Sequence, residues 1–168
     1  MKKNFVTLVI LFLAALAATC WLGYLQIYVF PDAKTAEMIA NKQNMVFGVS
    51  IVSSVVTSII SALIPVLLYA LIKALVSKDS LTAKAPGVRL AAYYYVNCLV
   101  VLVLTLGFTY LTHNKVPAVA NMAIYYGGVV IQILLSYSVV NKRKPYILFS
   151  ALLLLVASIT PVIQLITT

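Results

Sequence analysis

Acidic side chains are almost missing from this chain: Asp32, Glu37 and Asp79 are the only carboxylates in 168 residues. Paired-carboxylate acid/base chemistry needs two such groups at one substrate, and the apolar runs described below hold none. Intramembrane aspartyl chemistry is excluded on the same ground. One histidine, His113, sits in "THNK" with no serine near it, so a Ser/His/Asp arrangement has no members to draw on. It reads as a solvated loop residue. The two cysteines, Cys20 and Cys98, lie in separate apolar runs with no CxxC pair, and read as buried thiols rather than metal ligands. HExxH, GxSxG and the phosphate-cradling GxxxxGK[ST] are all absent. The sequence therefore offers no catalytic, cofactor-binding or metal-ligating residues, and the expected activity is non-enzymatic.

Charge of either sign is scarce. Only 9% of the residues are charged, against roughly a quarter in soluble domains, and 64% are hydrophobic. Lipid is the natural solvent for such a composition, because in water it would leave large apolar areas exposed. The net charge of +9 is no nucleic-acid footprint: the basic residues form no continuous face or arm, and sit in short clusters between apolar runs.

Those runs predict an all-α integral membrane protein, a single domain over residues 1–168 with spans at about 5–30, 44–72, 90–111, 117–140 and 145–166. The first, at about 1.5 Å per residue, covers about 40 Å, more than the roughly 30 Å of bilayer hydrocarbon. Its "ALAATC" resembles a signal-peptide end with a lipid-modified cysteine. Thr19, however, stands where a small Ala or Gly is wanted, and the apolar run continues through "WLGYLQIYVF". A retained span is the expectation. Asp32, after Pro31, is a candidate cap for an extension of the second helix.

Scoring the loops by the positive-inside rule places the N-terminus in the cytoplasm and the C-terminus outside. Lys2, Lys3, Lys73, Lys78, Lys84, Arg89, Lys142, Arg143 and Lys144 then face inward, and only Lys34, Lys42 and Lys115 face outward. The location that follows is the cell membrane. Lys78, Lys84, Arg89 and the "NKRK" turn would form a cytoplasmic basic surface, attractive to anionic headgroups or to a partner protein.

The clearest pattern is a hydroxyl stripe in the second span: Ser50, Ser53, Ser54, Thr57, Ser58 and Ser61. At about 100° per residue these fall within an arc of roughly 140°, with Pro65 on the same arc. Small hydroxyl residues let another helix approach closely and hydrogen-bond across the contact, so helix packing is the expected role. A polar pathway for a solute or ion is the alternative. Asn97, Asn121 and Gln132 are possible polar contacts beside the stripe, and Gly127–Gly128 offers a close-approach point. Three consecutive tyrosines, Tyr93 to Tyr95, read as interfacial anchors at the start of the third span.

The order of features resembles the bacterial branch of the Yip1-domain family. The matching pieces are "MIANKQNMVFGVSIVSSVVTSIISALIPVLLYALIKALVSKDS", "VRLAAYYYVNCLVVLVL" and "VVNKRKPYILFSALLLL". The chain departs from that family in having "VSKDS" where its members often carry glycines, and in lacking their proline near Asn97 or Cys98. The resemblance is one of architecture and transfers no site residue. It implies a membrane protein acting through other membrane proteins or lipids, such as an accessory or scaffold subunit beside an ABC-type exporter. Two further functions fit the same sequence: self-immunity against a toxin or bacteriocin, and a small-solute binding or transport subunit. The lipid bilayer and a membrane-protein partner are the expected associations, with no nucleic acid; oligomeric state is left open.

Overall fold

The computed structural model describes residues 2–30, 42–76, 84–114 and 116–167. Within them the chain is helical. Helix α1 runs Lys2–Tyr24 and passes into a π-helical turn, Leu25–Val29, closed by the Phe30 N–H on the Leu25 carbonyl at 2.7 Å. Helix α2 is Gln43–Leu75, α3 Pro86–Thr112, α4 Ala118–Ser136 and α5 Arg143–Thr167. Four segments are long and apolar enough to cross a membrane: Lys3–Val29, Gln43–Leu75, Pro86–Thr112 and Ala118–Ser136. The expected cap at Asp32 and the basic residue Lys78 lie outside the described residues.

The helix boundaries differ from the apolar runs for local reasons. Helix α3 starts at Pro86, earlier than the run at Leu90, because proline at the first turn has a fixed helical φ and no N–H to leave unpaired. Helix α4 stops at Ser136 although the apolar run reaches Val140. There the Ser136 carbonyl accepts from both Val139 and Val140 N–H at 2.9 Å, and Ser138 Oγ donates to the Leu135 carbonyl at 2.9 Å. Val139 and Val140 are thereby turned into the interior, where both are fully buried.

Helix α3 is the hub, packing on α1, α2 and α4, while α5 closes between α2 and α4. Two apolar clusters hold this arrangement. The larger joins Tyr69 and Ile72 of α2, Leu90 of α3, Val129 and Ile133 of α4, the Val139–Val140 turn, and Phe149 and Leu153 of α5. It plugs the end of the bundle that carries the basic turn at Lys142–Lys144. The smaller joins Ala15 of α1, Ala62 of α2 and Tyr95 of α3. The opposite end has an aromatic ladder: Trp21, Tyr24 and Tyr28 stack in sequence, Phe47 meets Tyr28 edge-on, and Phe30 lies 5.1 Å from the His113 ring. Such rings suit a membrane interface. The outward face of α2 exposes Val49, Val52, Val56, Ile60, Leu63 and Leu67, as a lipid-facing helix does.

Helix α5 carries Pro161 within it, and proline lacks the N–H that the carbonyl four residues back would accept. That carbonyl belongs to Ala157, and Tyr125 of α4 supplies the missing donor at 3.1 Å. Next to it Tyr126 donates to Ser158 Oγ at 3.2 Å. These bonds set the register of α4 against α5. Tyr125→Phe is expected to lower the unfolding free energy in micelles by about 1–3 kcal/mol, the cost of an unpaired buried acceptor. Tyr126→Phe should cost less, because Ser158 Oγ keeps its 2.8 Å bond to the Leu154 carbonyl; a denaturant titration of both variants measures the difference.

Candidate functional site: an intramembrane cavity

Above the larger apolar cluster the five helices draw apart around a cavity of about 900 Å³, near the top of the usual range for small-molecule sites. Ser53, Ser54, Thr57, Ser58 and Ser61 of α2 line it, down to Pro65. Over that stretch α2 rises about 18 Å. Exposure falls along the same line: Ser53 and Thr57 are exposed, Ser54, Ser58 and Ser61 half-buried, Pro65 buried. Ser50 is exposed and lies off the lining. The buried residues of α2 are Ala62, Pro65, Tyr69 and Ile72. The hydroxyl stripe and these buried residues occupy overlapping sides of one helix, the stripe higher and the buried residues lower.

The stripe hydroxyls differ from several others among the described residues. A serine or threonine in a helix commonly bonds the carbonyl four residues back. Thr19, Thr109, Ser136, Ser150 and Ser158 all do so, at 2.7–2.9 Å. Ser53, Ser54, Thr57, Ser58 and Ser61 make no such bond among the described residues, and all five line the cavity.

The deep end is polar. Asn97 of α3 and Gln132 of α4 both line the cavity, with 6% and 3% of their surface exposed, and Asn97 Nδ2 donates to Gln132 Oε1 at 3.0 Å. Asn97 Oδ1 and Gln132 Nε2 have no hydrogen-bond partner among the described residues. Gly128, one turn before Gln132, makes this approach possible: a Cβ there would collide with Asn97 Oδ1 and lie 2.7 Å from Val101 Cγ2. The Gly128 Cα–H points at Asn97 Oδ1 instead, a weak donor for it. Asn121 lines the exposed end of the cavity, and Thr19, Tyr94, Cys98 and Tyr125 add to its polar lining. Among the described lining residues none is charged; Val101, Leu102, Met122 and Val156 supply the apolar wall.

The three tyrosines diverge, as the 100° step of a helix requires. Tyr93 fits the interfacial role: its hydroxyl lies 2.7 Å from Ser138 Oγ, and Arg89 reaches both, at 3.1 Å and 3.0 Å. Tyr94 lines the cavity. Tyr95 is buried against Phe12, its hydroxyl 3.5 Å from the Ser58 carbonyl. Lys84, Lys142, Arg143 and Lys144 are exposed. One signal for α4 was available in the sequence: Asn121, Tyr125, Gly128, Gln132 and Ser136 recur at four, three, four and four residues, a polar stripe of its own.

No family model, curated protein or solved structure matches this chain. Gly128→Ala is expected to break the Asn97–Gln132 contact and cost about 1–3 kcal/mol as an overpacked site. Gly127→Ala should be near neutral, because a Cβ there meets nothing within 4 Å. Comparing the two unfolding midpoints in one detergent tests this.

Proposed function

We propose that this chain is a five-span protein of the cytoplasmic membrane, N-terminus inside and C-terminus outside, that binds a small uncharged ligand within the bilayer. Of the functions the sequence leaves open, solute binding or transport is the one the cavity favours. The observation that carries it is a chamber of about 900 Å³ lined by a row of serine and threonine residues and ending on a buried amide pair. Polar groups inside hydrocarbon are expensive unless something satisfies them, and they commonly mark a pathway or site. The absence of charge among the described lining residues points to a neutral occupant, since an unpaired ion there would meet no compensating group.

The fifth span is α5, 25 residues long, or about 37 Å of helix. With it the basic residues divide nine to three in favour of the inner side. The cavity then opens toward the outer half of the membrane, where Ser53, Ala118 and Asn121 are exposed, and is sealed toward the cytoplasm by the cluster around Ile72 and Phe149. An accessory role beside an exporter is compatible with a binding chain. The apolar outer face of α2 offers no argument for it, because acyl chains cover such a face equally well.

Two experiments bear on this reading. Single cysteines at Asn141 and Asn114, in a chain freed of its native thiols, should label from the cytoplasm and from the exterior respectively; labelling of both from one side overturns the five-span topology. Ser54→Leu with Ser61→Leu should obstruct the cavity and remove two of its hydroxyls, reducing retention of co-purifying small molecules by mass spectrometry while stability is kept or raised. If that pair instead loses about 1–3 kcal/mol of stability, as overpacked contacts do, the stripe is a packing face and the binding function is abandoned.

A further inference from the structure

The inner end of the cavity has a hydrogen-bonding polarity, and Gly128 sets it. Asparagine and glutamine amides can be turned end for end, so the orientation has to be argued. Against the Gly128 Cα–H, Asn97 must present its oxygen, since an amide N–H₂ would oppose a hydrogen already there. Its Nδ2 then faces Gln132 and donates to Oε1 at 3.0 Å. Gln132 has its acceptor engaged and its donor, Nε2, left without a partner in a residue only 3% exposed. The buried end of the chamber therefore presents one free N–H donor, Gln132 Nε2, since the Asn97 oxygen is turned onto the Gly128 backbone, while the wall above it carries hydroxyls that either give or accept.

Resting on the binding reading above, we propose that the cavity takes an uncharged lipophile whose buried end carries a carbonyl oxygen, as in a ketone, ester or amide, seated on the Gln132 amide. The oxygen accepts from Nε2, which loses no existing bond by turning toward it. The hydrocarbon part lies against Val101, Leu102 and Val156, and any further polar group along the chain meets the hydroxyls of Ser54 and Ser58. A hydrocarbon without the carbonyl leaves the donor unpaired, and an ammonium group brings further donors to a donor.

Cys98 lines the same cavity and supplies the readout. With Cys20→Ser it is the sole thiol, and its reaction with methyl methanethiosulfonate, a small uncharged reagent, is followed by mass on the folded protein in micelles. Methyl nonyl ketone should protect Cys98 at a concentration about tenfold below that needed of undecane, with decylammonium no better than undecane. Gln132→Met should erase the difference between ketone and alkane while Cys98 still reacts. Equal protection by ketone and undecane on the unsubstituted Gln132 protein overturns the carbonyl proposal and leaves the cavity standing. This comparison needs no Gln132 variant, so it decides even where Gln132→Met does not fold. A Cys98 that never reacts in the folded protein overturns the binding reading itself, and the ligand class with it.

Discussion

The interior of the bundle depends on one side chain, Asn97, spanning one turn of the neighbouring helix. Its oxygen rests on the bare backbone of Gly128 and its nitrogen on the carboxamide of Gln132, four residues further along the same face. A side chain that bridges positions i and i+4 fixes both the separation and the axial register of α3 and α4. The separation must be small, because only the missing Cβ of glycine leaves room for the oxygen. With α3 held so close to α4, and α1 and α2 packed on its other sides, the remaining space falls between α2 and α4. The cavity is the consequence of that asymmetry.

The two helix-interior prolines divide the work of the same interior. Pro161 deprives the Ala157 carbonyl of its helical donor, and the Tyr125 hydroxyl restores it across the α4–α5 contact. Pro65 deprives the Ser61 carbonyl in the same way, at the level where the hydroxyl stripe reaches the amide pair. In a low-dielectric interior a released carbonyl acts as a strong acceptor and needs a partner. One proline thus ties two helices together, and the other lies where the hydroxyl row of α2 gives way to its buried end.

Much of the fold was legible because lipid imposes a coarse grammar. Runs long enough to cross hydrocarbon, interrupted by clusters such as "NKRK", mark the helices within a few residues. The end of α4 was not legible: Val139 and Val140 are as apolar as any residue of a span, and only the hydrogen bonds to the Ser136 carbonyl reveal that they close a turn. The hydroxyl stripe was legible as a pattern, but its surroundings were not. A serine face against a helix and a serine face against a void have the same spacing. What separates them is the residue opposite, and that is set by Gly128 and Asn97 on two other helices. Asn97 and Gln132 were visible one at a time; their meeting needed the register of α3 on α4. Tyr94 and Tyr95 were read with Tyr93 as a block, although successive helical residues point about 100° apart.

The distribution of polarity through the bundle follows a single gradient. At one end Arg89, Tyr93 and Ser138 form a hydrogen-bonded cluster beside exposed basic residues, suited to headgroups and water. Directly inside it comes the apolar plug of Tyr69, Ile72, Leu90, Val140 and Phe149, and only beyond that the neutral amides and hydroxyls of the cavity. An ion moving along this axis would leave a charged surface, cross an apolar barrier and enter a chamber whose described lining has no charge to receive it. Each stage raises its energy relative to water. A neutral molecule coming from the other end meets hydroxyls of rising burial and then a free amide donor. Under the binding function proposed above, this gradient disfavours through-passage of charge, as a chamber closed on one side would and a continuous pore would not.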